Sequence, residues 1–370
     1  MNATQQLHSL GQSLWLDNIT RELLAKGTLQ RYIRDYAVTG LTSNPTIFDK
    51  AMREGDHYDA AIRQKATKGQ SGEALFFELA LEDLTQAADL FRPIHDLTEA
   101  TDGWVSLEVS PLLANDTAGT VSAAAELHRR AQRSNLFIKI PGTPAGIPAI
   151  EESIFAGVPI NVTLLFSREQ YIAAAQAYMR GIERRIAAGL NPKVASVASI
   201  FVSRWDVAVK DQVPKGLRNR LGIAIAQRAY RAYRDLLVAP RCAQLIAAGA
   251  RPQRLLWAST GTKDPAAPDT LYLEALAAPD TINTIPDKTL EAFADHGELK
   301  KPMPVDGGDA EEVLAEFAQA GVDTAALAAQ LQREGTKSFD KSWTDLLGCI
   351  ASKSASLITA DQKHAGSPAG

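Results

Sequence analysis

The chain has 370 residues, 45% of them hydrophobic and 22% charged, and a formal net charge of -4. Such values suit a soluble globular protein with a large core, built as one big domain or two. With no basic stripe a nucleic-acid partner is not expected, and no apolar run is long enough to span a bilayer.

Short strand-like runs alternate with longer helical stretches. In chain order, strands are expected at Leu14–Asp17, Gly40–Ser43, Trp104–Val109, Leu136–Ile140, Val162–Phe166, Val197–Val202, Arg254–Ala258 and Thr281–Ile285. Between them, Asn44-Pro45 reads as a helix start, and Ser167-Arg168-Glu169-Gln170 as a capping box. Residues 46–103 exceed one strand–helix unit and should hold two or three helices. Eight strands alternating with helices imply parallel pairing and a (β/α)8 TIM barrel of the α/β class. The expectation is a single barrel domain over residues 1–357, with a helical insertion at about 46–103 and a flexible tail over 358–370.

Met1 to Gly11 lacks a basic segment leading into an apolar core, so no signal peptide is expected. Cys242 and Cys349 lie far apart, as suits free thiols in a reducing, cytoplasmic setting. The six histidines never approach one another or a cysteine at ligand spacing, so no metal site is expected. Nor is there a glycine-rich dinucleotide or phosphate-loop fingerprint.

Lys139 stands out within Leu136-Phe137-Ile138-Lys139-Ile140. An ammonium in a short apolar strand is costly to bury unless paired or neutralised. A lysine that is neutral near physiological pH is a nucleophile and forms a Schiff base with a carbonyl substrate. The ordinary alternative is an edge-strand lysine whose stem covers apolar surface while its head stays wet. Residues two apart share a strand face, so if Leu136, Ile138 and Ile140 meet the helices, Lys139 points into the barrel. Parity also groups Trp15 with Asp17, Thr42 with Asn44, Ser106 with Glu108 and Ser110, Asn161 with Thr163 and Leu165, and Ser199 with Phe201 and Ser203.

An acid, amide or hydroxyl thus recurs near the C-terminal end of strand after strand, which is the catalytic face of such barrels. Singly, each has another explanation. Asp17 and Glu108 could cap helices or join ion pairs; Asn44 could cap a helix; Asn161 and Thr163 could be satisfied core groups; Arg204 could be a surface cation. Convergence around Lys139 is what points to an active site.

The segments Trp15-Leu16-Asp17, Gly40-Leu41-Thr42-Ser43-Asn44-Pro45, Leu107-Glu108-Val109, Ile138-Lys139-Ile140-Pro141, Asn161 to Ser167 and Ser199 to Arg204 together resemble the transaldolase family, in order and over most of the chain. The resemblance implies a barrel enzyme, without metal or organic cofactor, that transfers a dihydroxyacetone unit from a ketose phosphate to an aldose phosphate in the pentose phosphate pathway. The implied substrates are phosphorylated sugars, sedoheptulose 7-phosphate and glyceraldehyde 3-phosphate; the expected assembly, a monomer or homodimer, is not fixed by the sequence. By motif, Lys139 is the Schiff-base lysine, Glu108 and Thr163 hold the proton-relaying water, and Asp17 is the acid/base at the donor hydroxyl. Asn44 and Asn161 bind donor hydroxyls, with Ser199 nearby, and Arg204 binds phosphate. Past Ser259, where many members place an arginine, this chain offers Lys263, a point charge without a bidentate fork. Phe201 occupies a position where aldolase-type relatives tend to carry tyrosine, which favours transfer. Two alternatives stand beside this reading: a class I fructose 6-phosphate aldolase and a non-catalytic sugar-phosphate-binding barrel.

Overall fold

The computed structural model describes residues 1–365. Eight parallel strands close into a barrel in chain order: β1 Ser13–Leu16, β2 Val38–Thr42, β3 Val105–Glu108, β4 Leu136–Pro141, β5 Ile160–Leu165, β6 Ser196–Phe201, β7 Arg254–Ala258 and β8 Ile282–Ile285. Pairing of β8 with β1, Ser13 opposite Ile282 through Leu16 opposite Ile285, closes the ring and removes every sheet edge. All eight expected strands form, with no end displaced by more than two residues.

Period-2 alternation divides the strand side chains into two layers. Leu14, Leu16, Leu107, Leu136, Ile138, Ile140, Val162 and Ile200 face outward into the core shared with the helices. Trp15, Phe137, Val197, Leu256 and Ile282 fill the interior together with Trp104. Trp104 and Phe137 stack with ring centroids 4.0 Å apart, and Trp15 lies 6.2 Å from Phe137. Buried Asp102 accepts hydrogen bonds from Trp15 Nε1 at 2.7 Å and from Ser13. This aromatic plug sits among the earlier residues of the strands, so the inward polar residues that follow it cluster at the C-terminal mouth.

β5 departs from strict alternation. Leu164 has φ +58°, and the β5–β6 register shifts between Val162 and Leu165. The irregularity turns Leu165 to the helices with Val162, while Leu164 and Phe166 join the interior cluster. Leu165 therefore does not share the face of Asn161 and Thr163, because a bulge breaks the side-chain period. Ser167 Oγ accepts from Gln170 N–H at 3.1 Å as expected, but the Gln170 side chain reaches the Phe166 N–H, at 2.7 Å, in place of the Ser167 N–H.

Between β2 and β3 lie three helices, Pro45–Arg53, Asp59–Ala66 and Gly72–Leu97. A helix of 42 residues, Thr324–Ala365, packs against all three. Gln332 on it donates to the carbonyls of Gly142 at 2.9 Å and Leu164 at 3.0 Å, tying it over the barrel mouth. Its Trp343, Leu346 and Ile350 enter the outer core. The helix continues past position 358, so residues 358–365 are helical where a tail was expected; residues 366–370 lie outside the described residues. Among the described residues no helix is long and apolar enough to cross a membrane.

Gly40 on β2 passes close to the plug: an added Cβ would fall 2.6 Å from the Trp104 carbonyl oxygen and 2.7 Å from Trp15 Nε1. Neither neighbour is a flexible chain end. Gly40→Ala should therefore destabilise the fold by about 1–3 kcal/mol through overpacking, read as a lower thermal midpoint. An unchanged midpoint would show that the plug can yield.

Candidate active site

Lys139, on β4, is 5% exposed and points into the barrel. Its Nζ donates to the Ser43 carbonyl oxygen at 2.9 Å and lies 3.2 Å from Glu108 Oε2. Register explains the pair: Glu108 of β3 is directly beside Lys139, which is beside Asn161 of β5. Glu108 is also 5% exposed. Burial pushes its carboxyl above the ordinary glutamate range, against the opposing pull of Lys139.

One oxygen of this pair, Glu108 Oε2, and the nearby Thr163 Oγ1 are buried without a hydrogen-bond partner. The 3.2 Å contact is an ion-pair distance that lacks hydrogen-bond alignment. Buried polar atoms without protein partners are the usual seats of ordered water. Thr163 is thus not a satisfied core group.

A cavity of about 320 Å³ opens above Lys139 at the C-terminal end of the barrel. Asp17, Asn44, Thr163, Ser199, Arg204, Ser259 and Lys263 line it with Lys139, so β1, β2, β4, β5, β6 and β7 or their following loops all contribute. Asp17 follows β1, and its Oδ1 accepts from Thr42 Oγ1 at 2.8 Å. Burial raises its carboxyl above the usual aspartate range, with Lys139, the Thr42 hydrogen bond, Lys263 and Arg204 pulling the other way. Around the cavity Lys50, Lys139, Arg204 and Lys263 face Asp17 and Glu108, a surplus of positive charge suited to an anionic ligand.

Two expected residues play other parts as well or instead. Asn44 lines the cavity, yet its Oδ1 caps the helix Pro45–Arg53 by accepting from Ile47 N–H at 3.0 Å, leaving its NH2 to donate to a ligand. Asn161 is absent from the cavity wall. It is fully buried, with Nδ2 donating to Ser106 Oγ at 3.1 Å and Oδ1 accepting from Ser199 Oγ at 2.7 Å. That belt across three strands forms a floor beside Lys139.

Ser259 closes β7 with φ +55°, a left-handed conformation uncommon outside glycine. Its hydroxyl is 2.9 Å from Ser203 Oγ, and its carbonyl accepts from Ser203 N–H. Backbone strain of this kind persists where the surroundings impose it, commonly at binding sites. Arg204 carries no carboxylate within ion-pair distance among the described residues; burial lowers its pKa, with Asp17 and Glu108 opposing. Lys263 sits exposed on the rim.

Several participants had no role assigned from the sequence. Thr42 and Thr284 share a 2.6 Å hydrogen bond and orient Asp17; parity had placed Thr42 inward, and the same test on Ile282-Asn283-Thr284 would have found Thr284. Ser43 acts through its carbonyl, which no side-chain pattern reveals. Phe339 reaches the cavity from the C-terminal helix, far along the chain.

A sequence model described as "Transaldolase/Fructose-6-phosphate aldolase" matches residues 14–350. The chain belongs to that family. It is 45% identical to a transaldolase of Parafrankia sp. (strain EAN1pec) over 93% of this chain and 96% of the relative. It is 44% identical to one from Thiobacillus denitrificans, covering 95% and 100%, and 43% identical to one from Thermobifida fusca, covering 95% and 98%. Family membership over residues 14–350 accords with the closed barrel.

The orphaned oxygens of Glu108 and Thr163 carry a direct prediction. A high-resolution crystal structure should show an ordered water bonded to both, and Thr163→Val should lose it. Direct contact of these side chains, with no water, would contradict this account of the site.

Proposed function

We propose that this protein is a transaldolase, which moves a dihydroxyacetone unit from a ketose phosphate such as sedoheptulose 7-phosphate to an aldose phosphate such as glyceraldehyde 3-phosphate. The observation that carries the proposal is the buried Lys139, held at 3.2 Å from Glu108 beside the unpartnered Thr163 hydroxyl and below Asp17. The arrangement supports each step that imine chemistry requires.

Handing the Lys139 proton toward Glu108 frees the amine, and the raised affinity of Glu108 for protons makes that transfer less uphill. The amine attacks the ketose carbonyl to give a carbinolamine. Glu108, through a water shared with Thr163, returns a proton to the departing hydroxyl, water leaves, and a protonated imine forms. Asp17 then takes the proton from the hydroxyl β to the imine carbon. The adjacent C–C bond breaks, the aldose leaves, and the electron pair enters the imine as an enamine. Attack of the enamine on the acceptor aldehyde, with Asp17 returning its proton, reverses the sequence on the new sugar. Arg204, with Ser259 and Lys263, holds the phosphate, which supplies binding energy remote from the reacting carbons. Asn44 and Ser199 address the donor hydroxyls, and Asn161 keeps the floor in place.

Survival of the enamine separates transfer from simple cleavage. Phe201 lines the cavity where a tyrosine would offer a hydroxyl proton, so the wall there has no donor to quench the carbanion. This supports transfer over the aldolase alternative. The free thiols Cys242 and Cys349 fit a reducing compartment, and we place the enzyme in the cytoplasm on that basis.

Acceptor dependence tests the proposal. Fructose 6-phosphate alone should release one equivalent of glyceraldehyde 3-phosphate per active site, with turnover only when erythrose 4-phosphate is added. Continuous release of free dihydroxyacetone would assign the chain to the aldolases instead.

The carboxylates also predict the pH profile. Asp17 accepts a proton only when ionised, and its raised pKa means that it is already protonated at a pH where an ordinary aspartate is not. Activity should therefore fall as pH falls, with a midpoint in kcat/KM above about 4, shared macroscopically with Glu108. Asp17→Asn should lower turnover by about 10²–10⁴-fold. A midpoint at or below the ordinary carboxylate range, or near-normal turnover of that variant, would contradict its role as base.

A further inference from the structure

Arg204 is held in an unusual manner for a half-buried guanidinium. It has no ion pair among the described residues, and its carbon Cζ lies 4.9 Å from the ring centroid of Phe201 and 5.8 Å from that of Phe339. Phe201 closes β6, whereas Phe339 belongs to the C-terminal helix and is 4% exposed. Both rings therefore lie within cation–π range of one cation, and they come from elements far apart in the chain.

Gly335, one helical turn before Phe339, makes the approach possible. A Cβ there would lie 2.9 Å from Leu164 Cδ2 and 3.2 Å from Arg204 Nη1. Leu164 is itself the left-handed residue of the β5 bulge, and its carbonyl accepts from Gln332 one turn earlier on the same helix. Gln332, Gly335 and Phe339 thus form one stripe that seats the helix against β5 and Arg204 together.

We propose that Phe339 is a positioning residue for Arg204, so that the C-terminal helix sets the enzyme's preference for phosphorylated over unphosphorylated sugars. Aromatic contacts fix the guanidinium without satisfying its N–H donors. The fork stays free for a phosphate, where a carboxylate partner would have competed for it. A flexible arginine would spend conformational entropy on ligand binding that the two rings have already removed. The proposal rests on the reading of Arg204 as the phosphate site.

The test compares glyceraldehyde 3-phosphate with unphosphorylated glyceraldehyde as acceptor in wild type, Phe339→Leu and Phe339→Tyr. Because transfer is ping-pong, kcat/KM for an acceptor reports only the half-reaction after the first aldose has left. Leucine fills the apolar volume without a ring face, and tyrosine keeps the ring. In Phe339→Leu the preference for the phosphorylated acceptor should fall about three- to tenfold, through KM and with little change in kcat, and Phe339→Tyr should restore it. Equal losses toward both acceptors would mark Phe339 as merely structural and overturn the proposal, as would an unchanged preference in Phe339→Leu. A wild type that does not discriminate between the two acceptors would instead overturn the phosphate role of Arg204, and the proposal with it.

Discussion

The contact between Lys139 and Glu108, two ionisable groups each about 95% buried and 3.2 Å apart, constrains everything around it. Removing either charge from water costs several kcal/mol, and their attraction offsets this only with good geometry and further hydrogen bonds. Lys139 has one such bond, to the Ser43 carbonyl, while Glu108 Oε2 has none. Maximal stability is therefore not what the pair provides. What it provides, on the proposed mechanism, is a carboxylate beside the amine whose burial raises its affinity for the proton that imine formation must move.

The barrel supplies the conditions for that pair. Parallel register sets Glu108, Lys139 and Asn161 side by side on three adjacent strands. Below them the plug of Trp15, Trp104 and Phe137 fills the barrel interior and separates the Lys139 cavity from the opposite end. Above them, burial raises both Asp17 and Glu108, while Arg204 and Lys263 keep the mouth positive. Both carboxyls thus hold a proton more readily than exposed acids would, and the positive mouth suits an anionic ligand.

Much of this was legible in the sequence because it follows from a period of two. Leu136-Phe137-Ile138-Lys139-Ile140 can bury three aliphatic side chains against helices only by turning Lys139 inward, and the structure does so. The same parity brought Asp17, Thr163 and Ser199 to one cavity, which Arg204, just past the end of β6, also lines. It failed on β5, since Thr163-Leu164-Leu165-Phe166 is apolar enough on either face to conceal a bulge. It also could not foresee that Asn161 would spend both ends of its amide on Ser106 and Ser199, because that depends on the stagger of three strands. The C-terminal helix escaped notice as a part of the site because Phe339 and Gly335 acquire meaning only through contacts with strands far earlier in the chain.

The central claim is that Lys139 becomes covalently bonded to substrate. Treating the protein with fructose 6-phosphate and borohydride, then mapping the modified peptide by mass spectrometry, tests it most directly. The account predicts a reduced three-carbon adduct on Lys139, with loss of activity in proportion to labelling and no labelling of Lys139→Ala. An unlabelled protein, or an adduct confined to another lysine, would contradict it.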